Sequence, residues 1–408
     1  MALELALPPI DRSAAVTAPT GDTLWTGAAQ PVRAEIIDTL DGLRRLRPEW
    51  NDLFERAGCS HPFSSADWVG IWMEQFAGSV DLFLVAVRTA DGRLAALAPL
   101  AIDRGGVADL GVRRLRFLGD RFVGSDHLGL LVDPACGDAA VARIADAIER
   151  RKRDWDVVDL RDADAQSPFL RTLGDRLARV TLARPRRRVS VCPHIALPAR
   201  FDRYLESLGA KLRKNLRRAE RQLRERGRVD WHEYRSGPGL DTAYNDFVNL
   251  HGLRFQARGM TSTFLYDKSQ AFHRKVVAAM AQRGMVRLYL LTIDGTPIAG
   301  LLGYAIGSRF TFFQSGMNPE WEAFSPGAQM VAHSIERAIA EGRTDYDFLR
   351  GDEDYKHRWA TGSRETVAMT FCRPTWRGIG WWAGNMLLDT AAAARRVGRR
   401  EPPRSDMA

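Results

Sequence analysis

Apolar and polar positions fall into blocks along this chain, and the blocks come in the same order twice. "DLFLVAVRTADGRLAALAPLAI" (81–102) and "MVRLYLLTIDGTPIAGLLGYAI" (285–306) each hold an apolar run, a polar turn and a second apolar run. Asp91-Gly92 and Asp294-Gly295 in those turns predict tight hairpins, because glycine accepts the positive φ that such a turn demands. Each hairpin leads to a further predicted strand, "DHLGLLVDP" (126–134) and "RFTFFQSGMNP" (309–319). Helical spacing of apolar residues follows, at Val141, Ile144, Ala145 and Ile148 and again at Met330, Val331, Ile335 and Ile339. Both helices run on to a strand that opens with an aromatic residue and Asp, "WDVVDL" (155–160) and "YDFL" (346–349).

Two helices are predicted ahead of each unit. In the first half they are 41–57 and 65–76, with Asp41 and Ser65 as N-caps. In the second half they are 202–227 and 241–259. Periodicity breaks near 182–198, where Pro and a basic run intervene. The expected fold is α/β, with two tandem domains, each a mixed, mainly antiparallel sheet flanked by helices. The expected boundaries are a disordered leader at 1–30, a first domain at 31–190, a second at 191–372, and an amphipathic helix and tail at 373–408.

Composition narrows the class of protein. The 408 residues are 45% hydrophobic and 27% charged, as in globular proteins. A net charge of +9 favours anionic partners. Cys59, Cys136, Cys192 and Cys372 lie far apart with no metal-ligand spacing, so neither a disulfide framework nor a metal site is expected. The first 30 residues lack the basic and apolar regions of a signal peptide, and no apolar run approaches membrane-spanning length. A cytoplasmic protein is expected. No HExxH, GxSxG or GxxxxGK[ST] occurs, which removes support for protease, serine-hydrolase and kinase chemistry.

Two stretches carry candidate chemistry. Ser325, Pro326, Gly327 and Ala328 look like a helix start, whose free amides and positive dipole end suit a phosphorylated ligand. The first half has Gly137 and Asp138 there, and a carboxylate suits a phosphate less well. "YDFLRGDEDYKHRWA" (346–360) runs from a core strand into a dense cluster of both charge signs. The first half's "LRDADAQSPF" (160–169) has acids there but no Tyr or Lys, so the second half is expected to be the working one.

Together with "KLRKNLRRAERQL" (211–223) and "FTFFQSGMNPEWEAFSPGAQMV" (310–331), that cluster resembles the GNAT superfamily of acyltransferases. It is most similar to the CelD-like branch, related to the Fem-type peptidoglycan aminoacyltransferases. The resemblance spans roughly residues 35–372 and is stronger in the second half. It implies two GNAT-like domains and acyl transfer from acyl-CoA, acetyl-CoA foremost, to an amine or hydroxyl of a sugar, nucleotide-sugar or envelope-polymer precursor. Phe324 and Gln329 depart from the family's pyrophosphate-loop pattern around Gly327. The resemblance implies donor contacts from Gln314, Ser315 and Gly316, with Gly316 permitting a bulge, and from the 325–328 start. It implies Tyr355 as the acid for the leaving thiolate, Asp352 as the group that orients or deprotonates the acceptor, and Lys356 and Arg350 as anion contacts; the competing role for the cluster is a solvated turn with Asp352 as N-cap and Asp354 paired to Arg358.

Three features leave alternatives open. The helix over 211–226 carries eight Lys or Arg; Lys214 and Arg218 are candidate contacts to an anionic substrate. A Fem-type, aminoacyl-tRNA-dependent transferase is one alternative, and an inactive module that binds an anionic polymer is another; no other nucleic acid is expected. His251 and Arg254 on "NLHGLRFQARG" are candidate acceptor contacts, with core packing the competing role for His251. The tail carries Trp376, Trp381 and Trp382 among basic residues, a pattern compatible with peripheral contact at the inner face of a membrane.

Overall fold

The computed structural model describes residues 31–105, 111–120, 122–181 and 186–385. The first half contains β1 (Val32–Ile37), α1 (Leu40–Arg56), α2 (Ala66–Phe76), β2 (Asp81–Thr89), β3 (Leu94–Arg104), β4 (Arg113–Phe117), β5 (Leu131–Val132), α3 (Gly137–Arg150), β6 (Val157–Asp164) and α4 (Pro168–Val180). After β7 (Arg186–Ala196) come α5 (Phe201–Ser207), α6 (Ala210–Arg224), β8 (Val229–Tyr234), α7 (Leu240–Ala257) and α8 (Asp267–Gln282). The second unit closes with β9 (Val286–Ile293), β10 (Thr296–Ile306), β11 (Arg309–Met317), α9 (Pro326–Ala340), β12 (Asp345–Asp347), α10 (Asp354–His357) and β13 (Gly362–Cys372). A final helix occupies 376–385.

All described strands join one mixed sheet, ordered β1-β2-β3-β4-β6-β13-β7-β12-β11-β10-β9-β8, with β5 paired to β3. The order is a palindrome: β4 and β6 pair in parallel in one half, as β11 and β12 do in the other. The two halves exchange their inner strands. β13, at the far end of the second half, pairs with β6, while β7 pairs with β12. The stretch expected to be a boundary is therefore a central strand, and residue 190 lies inside it. The leader, 1–30, and the tail beyond 385 lie outside the described residues.

Local rules explain most element boundaries. Both Asp-Gly hairpins form, with Gly92 and Gly295 at positive φ. Ser65 caps α2 by accepting from the Trp68 amide, as expected, but Thr39 rather than Asp41 caps α1. Residues 126–134 yield only the two-residue β5; the strand that follows the first hairpin is β4, in a segment whose Arg-rich pattern hid it. Residues 202–227 form two helices, α5 and α6, separated at Leu208 and Gly209.

Candidate functional site

In the second half, β11 and β12 pair over only three positions, Arg309 with Asp345, Phe310 with Tyr346 and Thr311 with Asp347. β11 then runs on along β10 to Met317, while the chain after Asp347 turns away. Leu349, at φ 59°, lies in the departing segment. The strands part like a wedge, and a cavity of about 550 Å³ opens between them. Phe312 to Ser315 form one wall and Phe348 to Arg350, Glu353, Tyr355 and Lys356 the other; Arg254 and Arg258 from the end of α7 approach from a third side. Gly124 and Asp126 of the first half complete the lining.

Six of the candidates for the chemistry meet in this cleft. Tyr355, Lys356, Arg350, Arg254, Gln314 and Ser315 all line it. Burial pushes the Tyr355 phenol up to about 12, so the hydroxyl stays protonated at neutral pH. Lys356 is buried; its Nζ donates to the Arg350 carbonyl at 2.9 Å and pairs with Glu353 at 2.9 Å. Arg254 donates to Ser315 Oγ, which ties α7 to β11.

Other candidates are placed elsewhere. Asp352 is exposed, accepts a hydrogen bond from His357 at 2.6 Å and does not line the cleft. It follows two positive-φ residues, Leu349 and Gly351, with its side chain in solvent. His251 is fully buried, with Nδ1 3.0 Å from the Ser315 carbonyl and Nε2 2.9 Å from Ser262 Oγ. Burial lowers its pKa to about 4, so it is a neutral packing group that positions β11, not an acceptor contact. Gly316 does not bulge. It pairs in register with Gly300, and a Cβ there would sit 2.3 Å from the His251 amide nitrogen, so α7 requires a glycine for close approach. The bulge lies at Phe313, which is left unopposed between Leu302–Gln314 and Gly303–Phe312. Lys214 and Arg218 lie on the exposed face of α6 and line a separate concavity.

At the start of α9, Ser325 adopts a left-handed φ of 51° and its side chain caps nothing. Its carbonyl accepts from the amides of Ala328 (3.1 Å) and Gln329 (3.3 Å). Pro326 has no N–H, and among the described residues the Gly327 amide meets no backbone acceptor. No acidic residue occupies this first turn, and the half-buried Gly327 faces Met317 Sδ at a distance of 3.6 Å from a built Cβ.

Behind the cleft lies a buried network that sequence reading missed. His127 Nε2 sits 3.1 Å from Asp347 Oδ2, and His61 stacks on the His127 ring at 4.3 Å. Burial alone would lower the His127 pKa, but the Asp347 charge outweighs it and holds the imidazolium well above its usual range. The same pairing holds the Asp347 carboxyl below its usual range against burial. Asp126 accepts from the His127 amide at 2.9 Å and the Arg350 amide at 2.6 Å. Burial raises the Asp126 pKa, with His127 and Arg350 offsetting part of the shift. Arg350 also pairs with Asp162 of the first half. Two triads could hold a metal, His61–His127–Asp347 and Asp126–His127–Cys192, with donor atoms within 4.8 Å. The Arg309 guanidinium lies against His61, and Arg364 Nη1 is 3.5 Å from Asp347. Side chains thus already supply the positive charge a dication would bring to the first triad. Nothing in spacing alone signals this cluster, whose members come from the α1–α2 connection, the 122–130 loop, β7, β11, β12 and β13.

A wedge between parallel strands, lined by a tyrosine that burial keeps protonated, defines the candidate site. Residues 210–357 match the family profile of the Acetyltransferase (GNAT) domain. The match runs from the start of α6 to the end of α10, so this part of the chain is similar to a GNAT acetyltransferase domain. Solved structures give the same architecture. FemX is 15% identical, over 73% of this chain and 90% of that one, with a TM-score of 0.50. The C-terminal domain of a putative lysylphosphatidylglycerol synthetase from Agrobacterium fabrum is 8% identical, over 85% and 97%, with a TM-score of 0.51. L-PGS from Bacillus licheniformis is 11% identical, over 86% and 97%, with a TM-score of 0.50. At these identities the likeness is one of fold. No curated protein matches the sequence.

Proposed function

We propose that the protein transfers an acyl group from acyl-CoA, acetyl-CoA foremost, to an amine or hydroxyl of a sugar, nucleotide-sugar or related envelope-polymer precursor. The observation that carries this reading is the parting of β11 and β12 beside Tyr355, inside a segment that matches a GNAT domain. The donor's phosphates rest near the Gly327 amide, and its arm runs along Gln314 and Ser315 into the wedge. The acceptor enters from the Arg254–Arg258 side, where two guanidinium groups attract an anionic or polar precursor.

The chemistry follows from the lining. The acceptor's lone pair attacks the thioester carbonyl carbon, and the carbonyl oxygen takes up the negative charge against the backbone at the Phe313 bulge. Asp126, in the position expected of Asp352, removes the acceptor's proton; its raised pKa makes it a stronger base than an exposed carboxylate. The C–S bond then breaks and the thiolate takes its proton from the Tyr355 hydroxyl, which solvent later restores. Lys356 fixes the turn that presents Tyr355 by bonding to the Arg350 carbonyl.

No helix among the described residues is long and apolar enough to cross a membrane. Helix 376–385 leaves Trp376 69% and Ile379 51% exposed beside Arg377, which supports peripheral membrane contact in a cytoplasmic enzyme. Two measurements test the reading. Gly327→Asp places a carboxylate at the donor's phosphates, and calorimetry should show acyl-CoA affinity lost with the fold intact. Tyr355→Phe should lower kcat by about 100-fold with little change in donor KM. Unchanged values for both would remove the assignment.

A further inference from the structure

A second cavity lies away from the cleft, under α6. It measures about 190 Å³ and is walled by α5, α6, β8 and α9. Its interior is apolar and aromatic. Phe201 and Leu205 line one side, and the Trp231 indole lies against the His333 imidazole, centroids 4.1 Å apart and planes within 13°. Both rings are half-buried, and no hydrogen bond holds the His333 ring among the described residues. Such a stacked pair is a flat platform for a third ring.

The mouth of this cavity is cationic. Arg213 and Arg217 line both the apolar slot and an adjoining concavity of about 530 Å³ whose other lining residues include Lys214 and Arg218. None of these four makes an ion pair among the described residues, whereas Arg221 and Arg224 on the same helix pair with Glu225 and Glu220. One turn of helix separates 213 from 217 and 214 from 218, so each pair of cations is spaced on the order of 6 Å along the axis. The acidic groups lining the slot are Glu220, held by Arg224, and Glu336 across on α9.

A stacking slot that opens onto four free cations selects a ligand with a flat ring at one end and phosphate at the other. We propose that this groove binds a nucleotide, with the base against Trp231 and His333 and the phosphates on Arg213, Arg217, Lys214 and Arg218. The site runs along the flank of α9 from Gln329 to Glu336, just past the helix start assigned to the donor's phosphates. The nucleotide is either a free one or the adenosine end of a donor that extends past that helix start. The proposal builds on the acyltransferase reading only for the second source.

Calorimetry of the full chain with ADP, adenosine and inorganic pyrophosphate tests it. ADP should bind, with adenosine and pyrophosphate each at least tenfold weaker, because neither fills both parts of the groove. Arg213→Ala/Arg217→Ala and, separately, Trp231→Ala should each weaken ADP at least tenfold. The arginines are surface positions on a helix, so this variant keeps its thermal stability even if Trp231→Ala loses some. CoA then separates the sources. Displacement of ADP by CoA, with a raised acyl-CoA KM in the double arginine variant, assigns the groove to the donor. ADP binding that persists in Gly327→Asp and resists CoA assigns it to a free nucleotide. Absence of ADP binding at millimolar concentration, or binding unchanged in both groove variants, overturns the proposal. Neither result bears on Tyr355→Phe, so the acyltransferase reading stands or falls separately.

Discussion

The two halves solve the same geometric problem in opposite ways. In each, two parallel strands pair briefly and then diverge, leaving a gap in the middle of the sheet. In the first half the gap is filled by the chain itself. Leu128 forms a parallel bridge with Ala163, its amide donates to the Asp162 carbonyl at 2.8 Å, and the Asp164 amide donates to the Leu128 carbonyl at 3.2 Å. In the second half the equivalent gap is the 550 Å³ cleft. The helix starts differ in the same sense. Asp138 opens α3 and accepts from Thr172 on α4, whereas the first turn of α9 carries no acid. The repeated fold thus leaves one half with an open cleft and the other with a plug. The plug segment also serves its neighbour, since Gly124 and Asp126 form part of the cleft wall.

If the halves are coupled through the buried network, the largest effect should come from breaking it. Asp347→Ala removes the partner of His127, and an unpaired buried charge should cost about 3–5 kcal/mol by denaturant unfolding. A loss below about 1 kcal/mol would mean that His127 is neutral in the folded protein and needs no counter-charge. The plug itself is tested by Leu128→Ala. Truncating this buried side chain should cost about 2–5 kcal/mol, with turnover per folded molecule unchanged, because the filled gap is structural. The subtlest test concerns the residue that crosses from one half to the other. Asp126→Asn should lower kcat/KM by about 100-fold and abolish the acid limb of its pH profile. Burial raises the Asp126 pKa, so the base form is lost as pH falls through a value above the usual carboxylate range of about 4. A limb unchanged in the variant would assign it to another group.

Much of this was legible in the sequence. Period-2 runs around Asp-Gly and period-3.6 helices reveal the repeated unit, because hairpin turns and amphipathic faces are local patterns. The concentration of Tyr355, Lys356 and Arg350 after a strand marked one wall of the cleft for the same reason. Errors arose where contacts decide. Asp352 and Tyr355 are near in sequence, yet the turn after Leu349 sends one to solvent and the other into the wedge. Gly316 looked like a bulge and is instead a point of close approach by α7, which no residue beside it announces.

The sequence by itself determined that the chain is a doubled α/β unit. Tertiary structure alone decided that β7 and β13 would be exchanged to make one sheet, that His127 and His61 would meet Asp347 across the seam, and that Asp126 would meet Arg350. The physical reason is range: hydrogen-bonded turns and helical faces are written within a few residues. A buried ion pair between positions 127 and 347, by contrast, exists only once the pairing of distant strands has brought its partners out of water together.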